Sequence, residues 1–480
     1  MLKKLVMTGV LTLLWLGGPL MSYAFAQPAT TPPPADTGDT AFMLISSALV
    51  LLMTPGLAFF YGGFVRSRNV LNTLMMSFVL MAIVGVTWIL WGYSLSFAPG
   101  LPFIGGLQWL FGNVGLETQG YLPHLPYEDL LKAANPNYAD VTSYAGSIPH
   151  QAFMIFQAMF AIITPALISG AIAERMSFRA YCLFVLLWST FIYTPLAHMV
   201  WAKGGLLSLN GGLGALDFAG GTVIHISSGV SALVAAIVLG PRRTHPDRLS
   251  PPHNVPFILL GAGLLWFGWF GFNAGSALSL ASGTSGNLVT NVATTAFVST
   301  NTAAAAAALM WLILEAGLRG KPTAVGAATG AVAGLVGVTP AAGFVKPLAA
   351  ILIGLITAFV CFYAVSFKHK LNVDDALDTY PVHGVGGTVG AILTAIFATT
   401  EVNSGGKEGL LRGNWEEVLV ELAAIGLAYV IAGAGTFIIL KLIEKVGLRV
   451  KEETEYQGLD INEHGEEGYN SEFGDRINFS

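Results

Sequence analysis

The chain has 480 residues, 54% hydrophobic and 11% charged, with a net charge of −5 and a mean hydropathy of +0.65. Soluble domains carry about 25% charged residues, so most of this chain must face lipid or other helices. No basic cluster suggests nucleic acid, and Cys182 and Cys361 lie in apolar runs as packing residues, with no disulfide framework or metal spacing.

In chain order, Lys3 and Lys4 precede an apolar run from Leu5 to Leu20 and then Ala24-Phe25-Ala26. That pattern predicts a secretory signal peptide over residues 1–26; an uncleaved first membrane helix is the alternative. Residues 27–40 are Pro/Thr-rich and read as a linker. Eleven segments long enough to cross a hydrocarbon core of about 30 Å follow. They centre near 41–64, 71–97, 150–173, 180–201, 220–240, 255–275, 288–315, 323–338, 347–367, 383–400 and 416–443, the eighth being short and Gly/Ala-rich. The transmembrane domain is thus expected over 41–446 and an acidic, polar tail over 447–480. By composition that tail orders only when docked, and it is expected to pack partly against cytoplasmic loops.

Basic residues set the orientation. Loops after odd-numbered spans, with the exit of the last span, hold 15 of the 23 Lys and Arg, among them Arg66, Arg175, Arg242, Arg319, Lys368 and Arg449. Positive-inside logic puts these loops and the C-terminus in the cytoplasm and the mature N-terminus outside.

Two glycine-rich apolar stretches carry one histidine each, and each histidine follows an aspartate by eight residues: Asp217 and His225, Asp375 and His383. An ionisable group within a bilayer is by default a functional hypothesis. Matching contexts in the fifth and tenth spans suggest two inverted five-helix halves plus one extra helix, with a site between the halves. If the eight residues are helical, each histidine lies about 12 Å from its helix start, on opposite faces, so the two rings come close in depth. Apolar surroundings favour neutral rings that share a proton. The alternative is two core histidines, each satisfying a backbone carbonyl. Near the outer ends lie Phe156 and Phe160, four apart on one helix face, with Trp201, Phe272 and Ser276. Such a group fits either a cation cage or an interfacial aromatic belt. Asp217 and Asp375 are expected at helix starts, where a carboxylate caps backbone N–H groups.

The chain resembles the ammonium transporter (Amt/Mep/Rh) family, most of all its bacterial Amt branch. The resemblance runs from about residue 40 to about residue 470 through MTPGLAFFYGG (53–63), AHMVWAKGG (197–205), DFAGGTVIHISSG (217–229), GWFGFNAGS (268–276), LRGKP (318–322), DDALDTYPVHGVGG (374–387) and GLRVKEETEYQGLDINEHGE (447–466). It implies an all-α membrane protein of eleven transmembrane helices with an inverted five-helix pseudo-repeat, assembled as a homotrimer in the cell (inner) membrane with one pore per subunit. By the same resemblance Phe156, Phe160, Trp201 and Ser276 form an outer ammonium-recruiting site, and Phe160 and Phe272 the gate beneath it. His225, His383 and Trp269 line the pore, and Asp217 supports the vestibule. The tail is similar to segments that meet PII-type signalling proteins. Two features depart from compact members: the long outer loop 98–148, and Lys203 beside Trp201, whose ammonium is expected to snorkel outward.

The implied function is uptake of ammonium, with methylammonium as a further candidate substrate, and neither enzymatic activity nor a cofactor is expected. Three other readings stay open. One is a neutral gas channel of the Rh type, against which Trp201 and Ser276 argue. Another is an ammonium sensor, which would need a partner because 447–480 is too short for a signalling domain. The third is a membrane metalloenzyme, although no HExxH pattern occurs and a catalytic zinc normally takes three protein ligands.

Overall fold

The computed structural model describes residues 35–112, 114, 144, 146–246, 250–280, 291–371 and 373–469. The expected signal peptide and most of the outer loop 98–148 lie outside the described residues. Among those described, ten helices are long and apolar enough to cross a membrane. They are α1 (Thr37–Phe64), α2 (Ser67–Phe97), α3 (His150–Ile172), α4 (Phe178–Trp201), α5 (Gly221–Leu239), α6 (Val255–Gly275), α7 (Val292–Arg319), α9 (Pro347–Lys368), α10 (Tyr380–Phe397) and α11 (Glu416–Val446). Between α7 and α9 lies a shorter apolar helix, α8 (Ala324–Val338). Its 15 residues rise about 22 Å, less than a full hydrocarbon core. A two-stranded hairpin pairs Gly100–Leu101 with Ile104–Gly105.

Local capping explains where the boundaries depart from the hydropathy pattern. Helix α1 begins inside the expected linker because the Asp36 carboxylate accepts the Asp39 N–H at 2.8 Å. Helix α7 sits four residues later than expected at both ends. Asn291 caps it through the Thr294 N–H at 3.0 Å, and Gly320, at φ 84°, ends it in the left-handed conformation that glycine accepts freely. Of the two cysteines expected to be buried, Cys361 is, but Cys182 is partly exposed.

Close packing through small residues fixes two antiparallel pairs. A Cβ added at Gly261 would lie 2.2 Å from the Phe60 nitrogen, one at Gly268 2.2 Å from Met53 Cγ, and one at Gly271 2.7 Å from Leu49 Cβ. Positions rise along α6 as they fall along α1, so the two helices run in opposite directions. Helices α5 and α10 do the same. A Cβ at Gly229 would meet the Gly384 nitrogen at 2.1 Å, and one at Gly387 would meet His225 Cβ at 2.9 Å. First pairs with sixth and fifth with tenth, each antiparallel. Helix α3 is buried almost throughout, whereas Leu44, Leu348, Phe359, Val430 and Leu442 are exposed on other helices. Only lipid or another subunit can cover such apolar faces in a multi-pass membrane protein, while the helices satisfy their own backbone.

The tail does not trail away. The Val450 N–H donates to the Arg175 carbonyl at 3.0 Å, and the Leu459 N–H to Asn69 Oδ1 at 2.8 Å. Asp460 accepts the Leu71 and Asn72 N–H groups at 3.1 and 2.8 Å, and Glu463 accepts the Phe178 N–H at 2.8 Å. Residues 448–464 thereby lie across the starts of α2 and α4, supplying acceptors to helix ends that would otherwise lack them.

Candidate functional site

The two histidines meet. His225 Nδ1 and His383 Nδ1 are 3.2 Å apart, both rings are buried, and their planes differ by 24° with centroids 5.3 Å apart. The route to that contact differs from the expected one, because the eight-residue offsets are not eight residues of helix. Gly220, at φ 119°, breaks the chain before α5, and Asp378, at φ 57°, breaks it before α10. His225 is therefore only about 6 Å along its helix and His383 about 4.5 Å. Each helix begins with a π-helical turn, Gly221–Ile226 and Tyr380–Val385, that contains its histidine. Wide turns of this kind often occur at functional sites.

Carboxylates fix both starts. Asp217 accepts the N–H groups of Gly220, Gly221, Thr222 and Val223 at 2.7, 2.6, 2.7 and 3.2 Å. Asp375 accepts those of Thr379 and Tyr380 at 3.0 and 2.7 Å. An ionised carboxylate at the positive end of a helix dipole suits both positions.

With both rings neutral, a contact between two Nδ1 atoms requires one to donate and the other to accept. The donor ring then has a bare Nε2 and the acceptor ring an Nε2–H, so the pair offers the lumen one acceptor and one donor. His225 Nε2 has no protein partner. Around the rings is a cavity with about 10 Å³ open to the centre of a water-sized molecule, walled by Leu57, Ile163, Leu265, Val332 and other apolar side chains. A void of that size holds about one small molecule. The Trp269 indole stacks on His225 at 5.4 Å and donates to Thr339 Oγ1 at 2.9 Å, which sets its tilt.

Outward from His225 the aromatic rings form a column. Phe272 lies 6.2 Å from His225, and Phe160 lies 4.3 Å from Phe272, tilted by 32°. Phe156 and Trp201 flank Phe160 at 4.8 and 6.1 Å. Trp201 spends its N–H on the Asp217 carbonyl at 2.9 Å, and Ser276 donates its hydroxyl hydrogen to the Phe272 carbonyl at 2.9 Å. These bonds leave the Trp201 indole face and the Ser276 hydroxyl lone pairs unused, and groups of both kinds attract cations that bear N–H groups. The Lys203 ammonium lies 5.6 Å over the Tyr144 ring.

Inward from His383 a second cavity, about 130 Å³, is lined by Tyr61, Glu315, Arg319, Thr329, Asp378 and Thr379 together with apolar side chains. Nearby, outside the spans, is an ion network built on two of the basic loop residues, Arg66 and Arg242. Arg242 pairs with Glu174 at 3.1 Å and with Asp374 at 2.9 Å, and Arg66 pairs with Glu174 at 2.9 Å. Burial alone would raise both carboxyls. The Arg242 hydrogen bonds and charge overcome it at Asp374, which is held at about 2, and Arg242 with Arg66 holds Glu174 below its usual range. Among the described residues, no group of three or more His, Cys, Asp or Glu is placed to hold a metal ion.

The chain matches the Ammonium Transporter Family over residues 41–469. It is 50% identical over 434 residues to the ammonium transporter of Bacillus subtilis (strain 168), covering 90% of this chain and 98% of that one. With the ammonium transporter of Aquifex aeolicus it shares 44% identity over 94% of this chain and 96% of that one. Among solved structures, Saccharomyces cerevisiae Mep2 superposes with a TM-score of 0.74 at 34% identity, covering 88% of this chain and 89% of that one. Motifs, helical architecture and relatives agree: this chain belongs to the ammonium transporter family.

Proposed function

We propose that the chain recruits NH4+ at Phe156, Phe160, Trp201 and Ser276, and conducts NH3 past the Phe160–Phe272 gate along His225, His383 and Trp269. The observation that carries this reading is the buried imidazole pair in a small apolar cavity beneath stacked rings. Ammonium that reaches the column gives up a proton, to water before it or to the bare imidazole Nε2 within it, with or without separate transfer of that proton across, and ammonia then accepts from one Nε2–H and donates to the bare Nε2 of the other ring. K+ has no proton to lose, and a dry pore with two neutral rings offers nothing to replace its hydration shell. Asp217 holds the start of α5, and with it His225; Asp375 does so for α10 and His383.

Around the pore we read eleven spans, counting α8, as inverted five-helix halves plus α11, following a signal peptide over 1–26. The antiparallel pairing of α1 with α6 and of α5 with α10 supports that reading. The subunit is read as one third of a homotrimer in the inner membrane, N-terminus outside and C-terminus cytoplasmic, its tail a docking point for a PII-type protein. One of the similar solved structures, 30% identical with a TM-score of 0.73, is named Sensor Amt Protein, so a sensing role through a partner is the second reading. Reconstitution separates the two. Proteoliposomes are expected to pass ammonium and methylammonium, with current recorded at the same time, and to pass no K+. Ammonium binding without flux would favour the sensor, and K+ flux would contradict the pore.

A further inference from the structure

Asp217 joins both halves of the site: its carbonyl holds the Trp201 indole, and its carboxylate holds the start of the His225 helix. What holds the residue before it, Leu216, is a side chain on α11, the helix outside both five-helix sets. The Leu216 N–H donates to Glu421 Oε1. Glu421 is fully buried and its other oxygen has no protein partner. One turn earlier Glu417, also buried, pairs with Lys407 at 3.3 Å, and Lys407 donates in turn to the Leu213 carbonyl at 3.1 Å. The loop before α5 is thus tied to α11 at two points. Further along α11, the Tyr429 hydroxyl meets Thr388 at 3.0 Å and Thr436 donates to Ser231 at 2.8 Å, fixing the helix against α10 and α5.

A buried carboxylate in a membrane helix is costly, and an apolar residue would fill the same space. Its specific service is an acceptor placed for one backbone N–H, and that N–H belongs to Leu216, the residue next to the one whose carbonyl holds the Trp201 ring. We propose that Glu421 is a positioning residue for ammonium recruitment, acting through the backbone from Leu216 to Asp217 on the Trp201 indole. The proposal rests on Trp201 as part of the recruiting site.

The full chain in proteoliposomes tests it through the ammonium concentration that half-saturates uptake. Glu421→Leu removes the acceptor and is expected to raise that concentration about tenfold, with the maximal rate changed less than about twofold, as loss of a recruiting contact should. Glu421→Gln keeps an acceptor oxygen and is expected to restore half-saturation to within about twofold of the wild type. Glu421→Asp keeps the carboxyl group but falls short of the Leu216 N–H, so it should behave like the leucine variant. In a Trp201→Leu background, Glu421→Leu should add nothing, since both changes break one chain of contacts. The proposal is overturned if aspartate preserves half-saturation while glutamine does not, because the acidic group, and not an acceptor at that reach, would then be the active property. Equal effects of Glu421→Leu with and without Trp201 would overturn it as well. If Glu421→Leu does not fold, the order of glutamine and aspartate decides. Trp201→Leu alone checks the underlying reading: unchanged half-saturation there removes the recruiting site itself.

Discussion

At the scale of single residues, the site depends on groups used to the limit of their bonding capacity. Asp217 accepts four backbone N–H groups with two oxygens. Asp217→Asn replaces one oxygen with an NH2 that cannot accept, stranding up to two buried donors at about 1–3 kcal/mol each. Thermal stability of the purified protein and ammonium flux should fall together; loss of flux with an unchanged melting temperature would mean that Asp217 acts as a charge and not as a cap. As the proposed gate, Phe272 would act by shape. It lies between Phe160 and His225, and Phe272→Ala would open the column to water. Osmotic swelling of proteoliposomes should then speed up, and no change would place the gate elsewhere. The histidine pair was legible from sequence, because the two histidines share a glycine-rich context and an aspartate at one offset. Thr339, which orients Trp269 from 70 positions away, was not, since a threonine in an apolar stretch carries no mark of its partner. Glu421 stayed hidden for a related reason: its partner is a backbone N–H 205 positions earlier.

Among the helices, the decisive feature is how two of them begin. Hydropathy located the spans well, because a hydrocarbon core demands length and apolarity and little else. It could not tell helix from turn between Asp217 and Gly220 or between Asp375 and Thr379, and so assigned the histidines too deep a helical position. The turns depend on Gly220 and Asp378 taking positive φ, and on carboxylates reaching past them to helix N–H groups. Where α5 and α10 cross, backbone meets backbone at Gly229 and Gly384. Gly229→Ala puts a methyl 2.1 Å from a main-chain nitrogen, and no side chain can move to relieve it. Overpacking of this kind costs about 1–3 kcal/mol and should part the two imidazoles. Reduced ammonium flux with the protein still folded is the expected result; wild-type flux would show that the crossing tolerates a wider spacing.

The whole molecule is tied together on its tail side by charge. Arg242 bridges Glu174 and Asp374, and Arg66 reaches only Glu174. Arg242→Ala would leave the largely enclosed Asp374 without its ion pair and Glu174 with Arg66 alone, a loss of about 3–5 kcal/mol measurable by thermal melts. Because both carboxyl pKa values lie below their unfolded values, the stability they add is complete above the ordinary carboxylate range. It is lost as pH falls from about 4 to about 2, the value at which Asp374 is held. A melting temperature that rises as pH is lowered through this window would contradict the network. By composition the acidic tail orders only when docked, and residues 448–464 are docked, because helix ends at Leu71, Asn72 and Phe178 need acceptors that Asp460 and Glu463 supply. Deleting residues 452–480 is expected to change regulation while leaving a folded transport unit, and failure to fold would assign the tail to the core structure.

The claim beneath all of this is that a dry passage with paired neutral imidazoles admits ammonia and refuses ions that keep their charge. Its most direct measurement is the ratio of ammonium to K+ transport in proteoliposomes for the wild type and a folded His225→Ala/His383→Ala variant. The account predicts a high ratio for the wild type and, for the variant, ammonium flux reduced by about tenfold or more, a collapsed ratio, or both, since no donor–acceptor pair remains to carry ammonia through an apolar bore. A variant that kept both the wild-type rate and the wild-type ratio would contradict it.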